Sequence, residues 1–179
     1  KRALSDLNFL DVQFEIAFSE LPDYSANGRD EVEFMISLNP GAPIRPLRDV
    51  ASGGELSRIM LALKTVIAEG DSIDTLIFDE IDAGISGRTA QAVAEKLSQL
   101  AGRHQIICIT HLPQIAAMAD HHFLIEKNVE DGSTISSIHE LGADDIPEEL
   151  SRMLGGAEVT DTVRSNALEM KRLADERKK

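Results

Sequence analysis

Two adjacent carboxylates, Asp79 and Glu80, follow a short hydrophobic run in the string TLIFDE. Ligands bind at the strand tips of parallel sheets, so a strand here would present both acids to a ligand. Asp79 is suited to hold Mg²⁺, which takes oxygen ligands and keeps part of its water shell. Glu80 is suited to orient an attacking water and accept its proton. A strand that ends in a solvated acidic turn explains the same residues, so this motif alone leaves both interpretations open.

The motif Ser52-Gly53-Gly54-Glu55 begins a segment with helical hydrophobic periodicity. Its outer residues match a capping box, with Ser52 as the N-cap and Glu55 at the third helical position. A cap does not explain two consecutive glycines, each of which costs up to ~1 kcal/mol of conformational entropy in a helical turn. The first amides of a helix are unpaired and its dipole favours negative charge. The glycines therefore indicate a backbone that an anion such as phosphate can approach closely.

Two further candidates lie in the loops after predicted strands. Asp82 opens the string DAGISG, and we expect it to shape this loop rather than to take part in bond making. A plain turn before the next helix explains the same string. His111 follows the apolar run IICIT, where a side chain that senses a bound phosphate would stand, although a lone histidine is usually structural. Cys108 lies inside that run and is expected to be an inert buried thiol.

Composition limits the classes of function. A chain of 179 residues with 42% hydrophobic content is long enough to bury a core. Its net charge of −13 argues against a broad nucleic-acid-binding face on this chain. No apolar stretch approaches the ~20 residues that span a bilayer, so we expect no membrane segment. The one cysteine is consistent with the reducing cytosol, where we expect the protein. A single cysteine excludes an internal disulfide, and no close His/Cys spacing supports a zinc site.

Hydrophobic periodicity predicts the secondary structure of the first half of the chain. Apolar residues at every second position around 12–18 and 32–38 predict an antiparallel hairpin, with a polar turn at 22–30. A helical pattern precedes it at residues 1–9, and a proline-rich loop is predicted at 39–46. The helix after the Ser-Gly-Gly-Glu motif has one apolar stripe, formed by Leu56, Ile59, Met60, Leu63, Val66 and Ile67.

The second half of the chain alternates between helices and short apolar strands. Buried strands are predicted at 76–78 and 106–109, and a helix precedes each of them, which is the order of a parallel α/β sheet. The other predicted elements are helices at 89–100 and 112–118, a hairpin of strands 121–128 and 134–141 around Asp131-Gly132, and helices at 146–154 and 162–178.

Four strings occur in order along the chain: SGGELSRIMLALK, TLIFDEIDAGISG, ITHLPQIAAMAD and ELSRMLGGAEVT. From about residue 10 to its end, the chain thereby resembles the C-terminal part of the RecN family of bacterial DNA-repair proteins, in the structural-maintenance-of-chromosomes (SMC) group. The resemblance implies an α/β fold, the C-terminal lobe of a P-loop NTPase head of the ABC/SMC type, with parallel core strands, flanking helices and antiparallel hairpins. Residues 1–10 would be the stump of a returning coiled-coil helix, and residues 11–179 the lobe.

The same resemblance implies a role for each candidate residue. The signature loop that binds ATP matches Ser52, Gly53, Gly54 and the adjoining Glu55; the magnesium and base acids match Asp79 and Glu80; the interface loop matches Asp82; and the switch histidine matches His111. ATP and Mg²⁺ are the implied ligands. The implied partners are the protein's own N-terminal lobe and coiled coil, a second head in an ATP-dependent homodimer, and DNA bound by the full-length protein at the bacterial nucleoid.

The sequence contains no G-x-x-x-x-G-K-[ST] motif and no Gly-Lys pair. The amides and lysine of that motif cradle the phosphates of a bound nucleotide. We therefore expect a separate N-terminal lobe to supply them, and we expect this chain alone to be inactive as an ATPase.

Three alternatives differ in function from a RecN-like repair head. They are a non-hydrolytic structural or interaction module of the same fold, a head fragment of another chromosome-maintenance ATPase, and a transporter-type ABC ATPase. The presence of Glu80 and His111 favours a working site, because a purely structural relative could replace them. The strand-rich entry at 11–38, after a short helix, fits a coiled-coil head better than a transporter.

Overall fold

The computed structural model describes residues 1–9, 11–38, 40–49, 52–67, 70, 72–130 (backbone only at 129 and 130), 133–156 and 158–178. The chain divides into two compact units. The first comprises Lys1–Ile85 and Gln99–Ile109, and the second comprises Ser86–Ser98 and Thr110–Lys179.

The described chain contains both helices and strands. In order they are α1 (Arg2–Asp6), β1 (Gln13–Ser25), β2 (Gly28–Ser37), β3 (Arg45–Pro46), a 3₁₀ turn (Leu47–Asp49), α2 (Gly53–Ile67), β4 (Thr75–Phe78), α3 (Gly87–Ala101), β5 (Gln105–Cys108), α4 (Pro113–Ala117), β6 (Phe123–Glu130), β7 (Ser133–Glu140), α5 (Ile146–Gly155) and α6 (Asp161–Arg177).

The predicted first hairpin is present in the first unit as the antiparallel pair β1–β2, whose register runs from Gln13 opposite Ser37 to Glu20 opposite Asp30. The polar turn predicted at 22–30 is wrong in extent, because β1 continues to Ser25 and the turn itself is two residues long. Pro22 lies inside the irregular part of the register, on an edge strand of the sheet. A proline is tolerated at such a position because no neighbouring strand needs its missing N–H.

A third strand corrects the predicted loop at 39–46. Arg45 and Pro46 form β3, which pairs with Ile36 and Met35 of β2 on the side away from β1. Proline again lies on an edge strand, where the lack of a donor costs little. Two residues of pairing are too short to be recognised by alternation.

Helix α2 buries a different face from the one its periodicity predicted. Its buried residues are Gly54, Arg58, Ile59, Leu61 and Ala62. Four residues of the predicted stripe are instead at least 40% exposed: Leu56, Met60, Val66 and Ile67. Apolar residues occupy more than one side of this helix, so periodicity could not determine which side meets the core.

The predicted parallel pair is confirmed, with Leu76 opposite Ile106 and Phe78 opposite Cys108 in β4 and β5. Strand β4 is buried on one face only, because Leu76 and Phe78 face the core while Ile77 is 68% exposed. The prediction of buried strands is therefore confirmed for one face of β4 only, and β5 is at most half-buried. Residues 79 and 80 follow at the carboxyl end of β4, as the sequence predicted.

The second unit contains the second predicted hairpin and the last three helices. Strands β6 and β7 pair antiparallel, with Phe123 opposite Glu140; the predicted turn Asp131-Gly132 lies outside the described residues. Thr160 caps α6 by accepting a hydrogen bond from the amide of Val163 at 3.4 Å. Over the part of the chain that the structure describes, every helix is too short or too polar to cross a membrane.

Candidate functional site

The N-terminus of α2 carries the predicted capping box. The amide and the hydroxyl of Ser52 both donate to Glu55 Oε2, at 3.1 and 2.8 Å, and the Glu55 amide donates back to Ser52 Oγ at 3.4 Å. The amide of Leu56 also donates to the Ser52 carbonyl at 2.9 Å. Glu55 therefore uses its carboxylate to fix the first turn of the helix, which leaves Ser52 and Gly53 exposed at its tip.

The two glycines bring this helix tip against the turn that follows β4. A Cβ on Gly54 would lie 2.8 Å from both the main-chain oxygen of Glu80 and the methyl carbon of Ala83. A Cβ on Gly53 would meet only the end of the Glu80 side chain. Close packing within the chain is thus a second reason for glycine here, beside the ligand approach that the sequence suggested.

The turn after β4, residues 79–83, holds its acids in a fixed backbone conformation. Glu80 has a positive φ of 55°, which is uncommon for a residue other than glycine. Its amide donates to Asp79 Oδ1 at 2.9 Å, and its carbonyl accepts from the Ala83 amide at 3.0 Å. Ser57 of α2 donates to the Asp79 carbonyl at 2.9 Å. Conformations of this kind persist only where surrounding contacts impose them, and they concentrate at active sites.

Arg58 is a residue that the sequence analysis missed. Its Nη1 donates to the carbonyls of Ile81 and Ala83, at 3.2 and 2.9 Å, and its side chain is buried. The guanidinium carbon lies 5.7 Å from the centroid of the Phe9 ring. The pKa of Arg58 is lowered overall, because burial lowers it by more than the nearby Glu55 carboxylate raises it. The four-residue spacing between Gly54 and Arg58 was the available signal, because it places both on one face of a helix.

Asp82 lies inside the first unit, only 4% exposed, and forms polar interactions there. Burial raises the pKa of the Cys108 thiol to about 12, with further contributions from the carboxylates of Asp82 and Asp79. The thiol of Cys108 is therefore neutral at ordinary pH, although the residue is only partly buried rather than buried as predicted. Asp82 contributes negative potential close to the tip of the parallel sheet, and its predicted role in an interface stays a prediction.

The structure brings the capping motif and the acids together in the first unit, whereas His111 belongs to the second. His111 is exposed and takes part in a polar interaction of its own. The neighbouring Thr110 accepts a hydrogen bond from the Leu112 amide at 3.0 Å, which orders the entry to α4. The predicted role of His111 as a switch stays a prediction.

The acids at the tip of β4 fit a magnesium ion better than a protein-enclosed metal. Over the described residues, no three His, Cys, Asp or Glu side chains are grouped to hold a metal ion. Magnesium is usually held by one or two carboxylates together with waters and substrate phosphates. Asp79 uses Oδ1 within the turn, and its second carboxylate oxygen suits such a ligand. Zinc, which needs three or four protein ligands, does not fit this set.

Comparison with known proteins identifies relatives that match most of the chain, although no family model matches it. The DNA repair protein RecN of Halalkalibacterium halodurans is 46% identical over 165 residues, which are 90% of this chain and 29% of that protein. RecN of Bacillus subtilis is 47% identical over 83% of this chain and 26% of its own length. RecN of Deinococcus radiodurans is 48% identical over 86% of this chain and 27% of its own length.

Solved structures give the fold. The Smc head domain of Pyrococcus yayanosii superimposes with a TM-score of 0.58 at 22% identity, covering 84% of this chain and 27% of that one. The Smc head domain of Pyrococcus furiosus gives 0.56 at 22% identity, covering 85% and 36%. The α/β fold is therefore that of the C-terminal lobe of an SMC-type head.

The chain spans between a quarter and a third of the length of these curated relatives, at 26 to 29%. Nearly half of its aligned residues are identical to theirs, and its fold is that of the corresponding part of an SMC head. The chain belongs to the RecN family, of which it represents a C-terminal part.

Proposed function

We propose that this chain is the C-terminal lobe of an ATP-hydrolysing head in a protein that repairs DNA double-strand breaks. The main support for this proposal, in a chain of the RecN family, is a contact within the structure. The glycine-bearing tip of α2 packs against the turn that presents Asp79 and Glu80. The helix tip suits a bound phosphate, the acids suit magnesium and an attacking water, and a phosphate-transfer site needs both elements. Relatives named as DNA repair proteins support the biological role.

The two acids divide the work at the tip of β4. Asp79 holds magnesium through a carboxylate oxygen and water, and the bound ion neutralises charge on the transferred phosphate. Glu80 accepts the proton of the attacking water as general base. The hydrogen bond from the Glu80 amide to Asp79 Oδ1 sets the two carboxylates in a defined relation.

The exposed tip of α2 faces the nucleotide of a second head. Ser52 and Gly53 lie at the surface, where the Gly53 amide can meet a phosphate that another molecule presents. Asp82 shapes the loop at this interface, and His111 senses the terminal phosphate. In this arrangement each ATP lies between the acids of one head and the helix tip of the other.

The half-exposed parallel sheet supports a second, intramolecular partner. Ile77, Ile107 and Ile109 are between 45 and 68% exposed on the face of β4 and β5 that points away from the core. Parallel sheets are normally covered on both faces. We assign this face to an N-terminal lobe of the same protein, which carries the phosphate-binding loop and leads into a coiled coil. DNA then contacts parts of the protein outside this acidic chain.

The full-length protein provides the test. Glu80→Gln should slow phosphate release by ~10²-fold or more, because the amide keeps the shape of the side chain but accepts no proton. Size-exclusion chromatography with ATP and Mg²⁺ should then show a trapped head dimer. Asp79→Asn should weaken magnesium-dependent ATP binding and trap no dimer. Glu15→Gln, in an exposed acid of β1, is the matched control.

Each outcome separates the assignments. Equal trapping by both variants would contradict the division of labour between the acids. Normal hydrolysis by Glu80→Gln would remove the catalytic assignment and favour a structural module. The 179-residue chain alone should release no phosphate above background, and turnover near ~1 s⁻¹, within the usual enzyme range, would contradict the need for a second lobe.

A further inference from the structure

Arg58 is a buried cation beside the turn that carries Asp79 and Glu80, and none of the proposed chemical steps uses it. Only 6% of its surface is exposed, and its described hydrogen-bond partners are main-chain carbonyls rather than a carboxylate. A charged group is costly to bury unless it is well hydrogen-bonded. A helix that needed only to fill this space could do so with an apolar side chain. The charge and geometry of Arg58 therefore call for an explanation other than packing.

The two accepting carbonyls lie immediately after the general base. Nη1 of Arg58 reaches the carbonyl of Ile81 at 3.2 Å and that of Ala83 at 2.9 Å. Both belong to the turn that begins with the left-handed backbone of Glu80. One rigid donor thus fixes two peptide units of the turn that contains Glu80. The backbone of this turn sets the position of the Glu80 Cα and the direction of its side chain.

The same helix contacts this turn at two more places. Ser57 donates to the Asp79 carbonyl at 2.9 Å, and Gly54 packs without a side chain against the Glu80 carbonyl. These contacts join the tip of α2 to the acid turn as one block. The tip is the part that would meet a phosphate of the second head, whereas the turn acts on the nucleotide of its own head.

We propose that Arg58 is a positioning residue that holds the Glu80 carboxylate in place and couples it to the α2 tip. The inference rests on the proposed function, because it takes Glu80 as the general base. Arginine is suited to this task, since its planar guanidinium keeps several donors in a fixed geometry. Lysine is not equivalent, because its ammonium is a compact and strongly hydrated point charge.

The test is a double-mutant cycle in the full-length protein. Arg58→Met should lower kcat by about 10-fold or more, with the KM for ATP within about twofold of wild type, because small misplacements of a reacting group are costly. Arg58→Lys should recover only part of the rate. Arg172→Met, which removes an exposed arginine of α6, is the control and should match wild type. Circular dichroism with thermal unfolding identifies variants that are folded at the assay temperature.

The cycle distinguishes positioning from general destabilisation. In a Glu80→Gln background, Arg58→Met should cost less than twofold in the single-turnover rate of phosphate release, because the group that it positions has already lost its function. An equal loss in both backgrounds, or full activity of folded Arg58→Met, would overturn the inference. Wild-type turnover by Glu80→Gln alone would instead reject the proposed role of Glu80, so the two failures are distinguishable.

Discussion

Replacing Gly54 by alanine tests the packing of α2 against the acid turn. Alanine favours a helix over glycine by about 0.5–1 kcal/mol. Against this, the new Cβ would lie 2.8 Å from the Glu80 main-chain oxygen and 2.8 Å from the Ala83 methyl carbon, a separation that requires the backbone to shift. Overpacking of a fitted interior costs about 1–3 kcal/mol. The clash should win, with a net loss of about 1 kcal/mol and a fall in Tm of about 2–4 °C.

Gly53→Ala is the matched control for this effect. Its Cβ would meet only the end of the Glu80 side chain, which can rotate away, so the helical preference should prevail. The expected change is between zero and a gain of about 1 kcal/mol in the free energy of unfolding. Urea unfolding of the chain, followed by circular dichroism, should give a lower midpoint for Gly54→Ala than for Gly53→Ala at an unchanged m value. Equal midpoints would refute the argument from close packing.

Two predictions concern pH. Cys108 has its pKa raised to about 12, so alkylation of the folded chain should be negligible near pH 8, and stability should fall as pH rises from about 9 towards 12, because the unfolded thiol ionises first. Rapid alkylation at pH 8 would contradict the raised pKa of Cys108. Burial lowers the pKa of His122, with a further contribution from the Lys171 charge, so the unfolded chain binds the proton more readily. Stability should therefore fall as pH drops below about 6.5, and a Tm series with His122→Gln should show a smaller loss over that range. If Tm falls equally with pH in His122→Gln and in the wild type, another group causes the loss of stability.

Local features of this chain were predictable from the sequence, because their causes lie within a few residues. The Ser52–Glu55 spacing predicted a reciprocal cap that the structure contains. Alternation predicted the β1–β2 pairing, and helices before short apolar runs predicted the parallel order of β4 and β5. The tip of β4 was located for the same reason, since a hydrophobic run that ends in two acids defines its own end.

Features that depend on distant partners were not predictable from periodicity. Which side of α2 is buried depends on the turn after β4, more than twenty residues along the chain, where Arg58 finds its acceptors. A rule that keeps arginine at the surface fails here, because main-chain carbonyls satisfy the guanidinium. The exposed face of β4 could not be predicted either. A strand of four residues has the same hydrophobic pattern whether it is buried on both faces or on one.

The two consecutive glycines have different physical reasons, which changes how the site is understood. Gly54 is buried, and its missing side chain is required by the chain itself, because the turn at Glu80 and Ala83 occupies that space. Gly53 is exposed and meets only a movable carboxylate, so the structure of this chain alone does not require glycine there. A ligand that approaches the helix tip is the remaining reason for glycine at this position. The proposed phosphate contact should therefore be assigned to the Gly53 amide, and Gly54 to the support of the turn that carries the proposed general base.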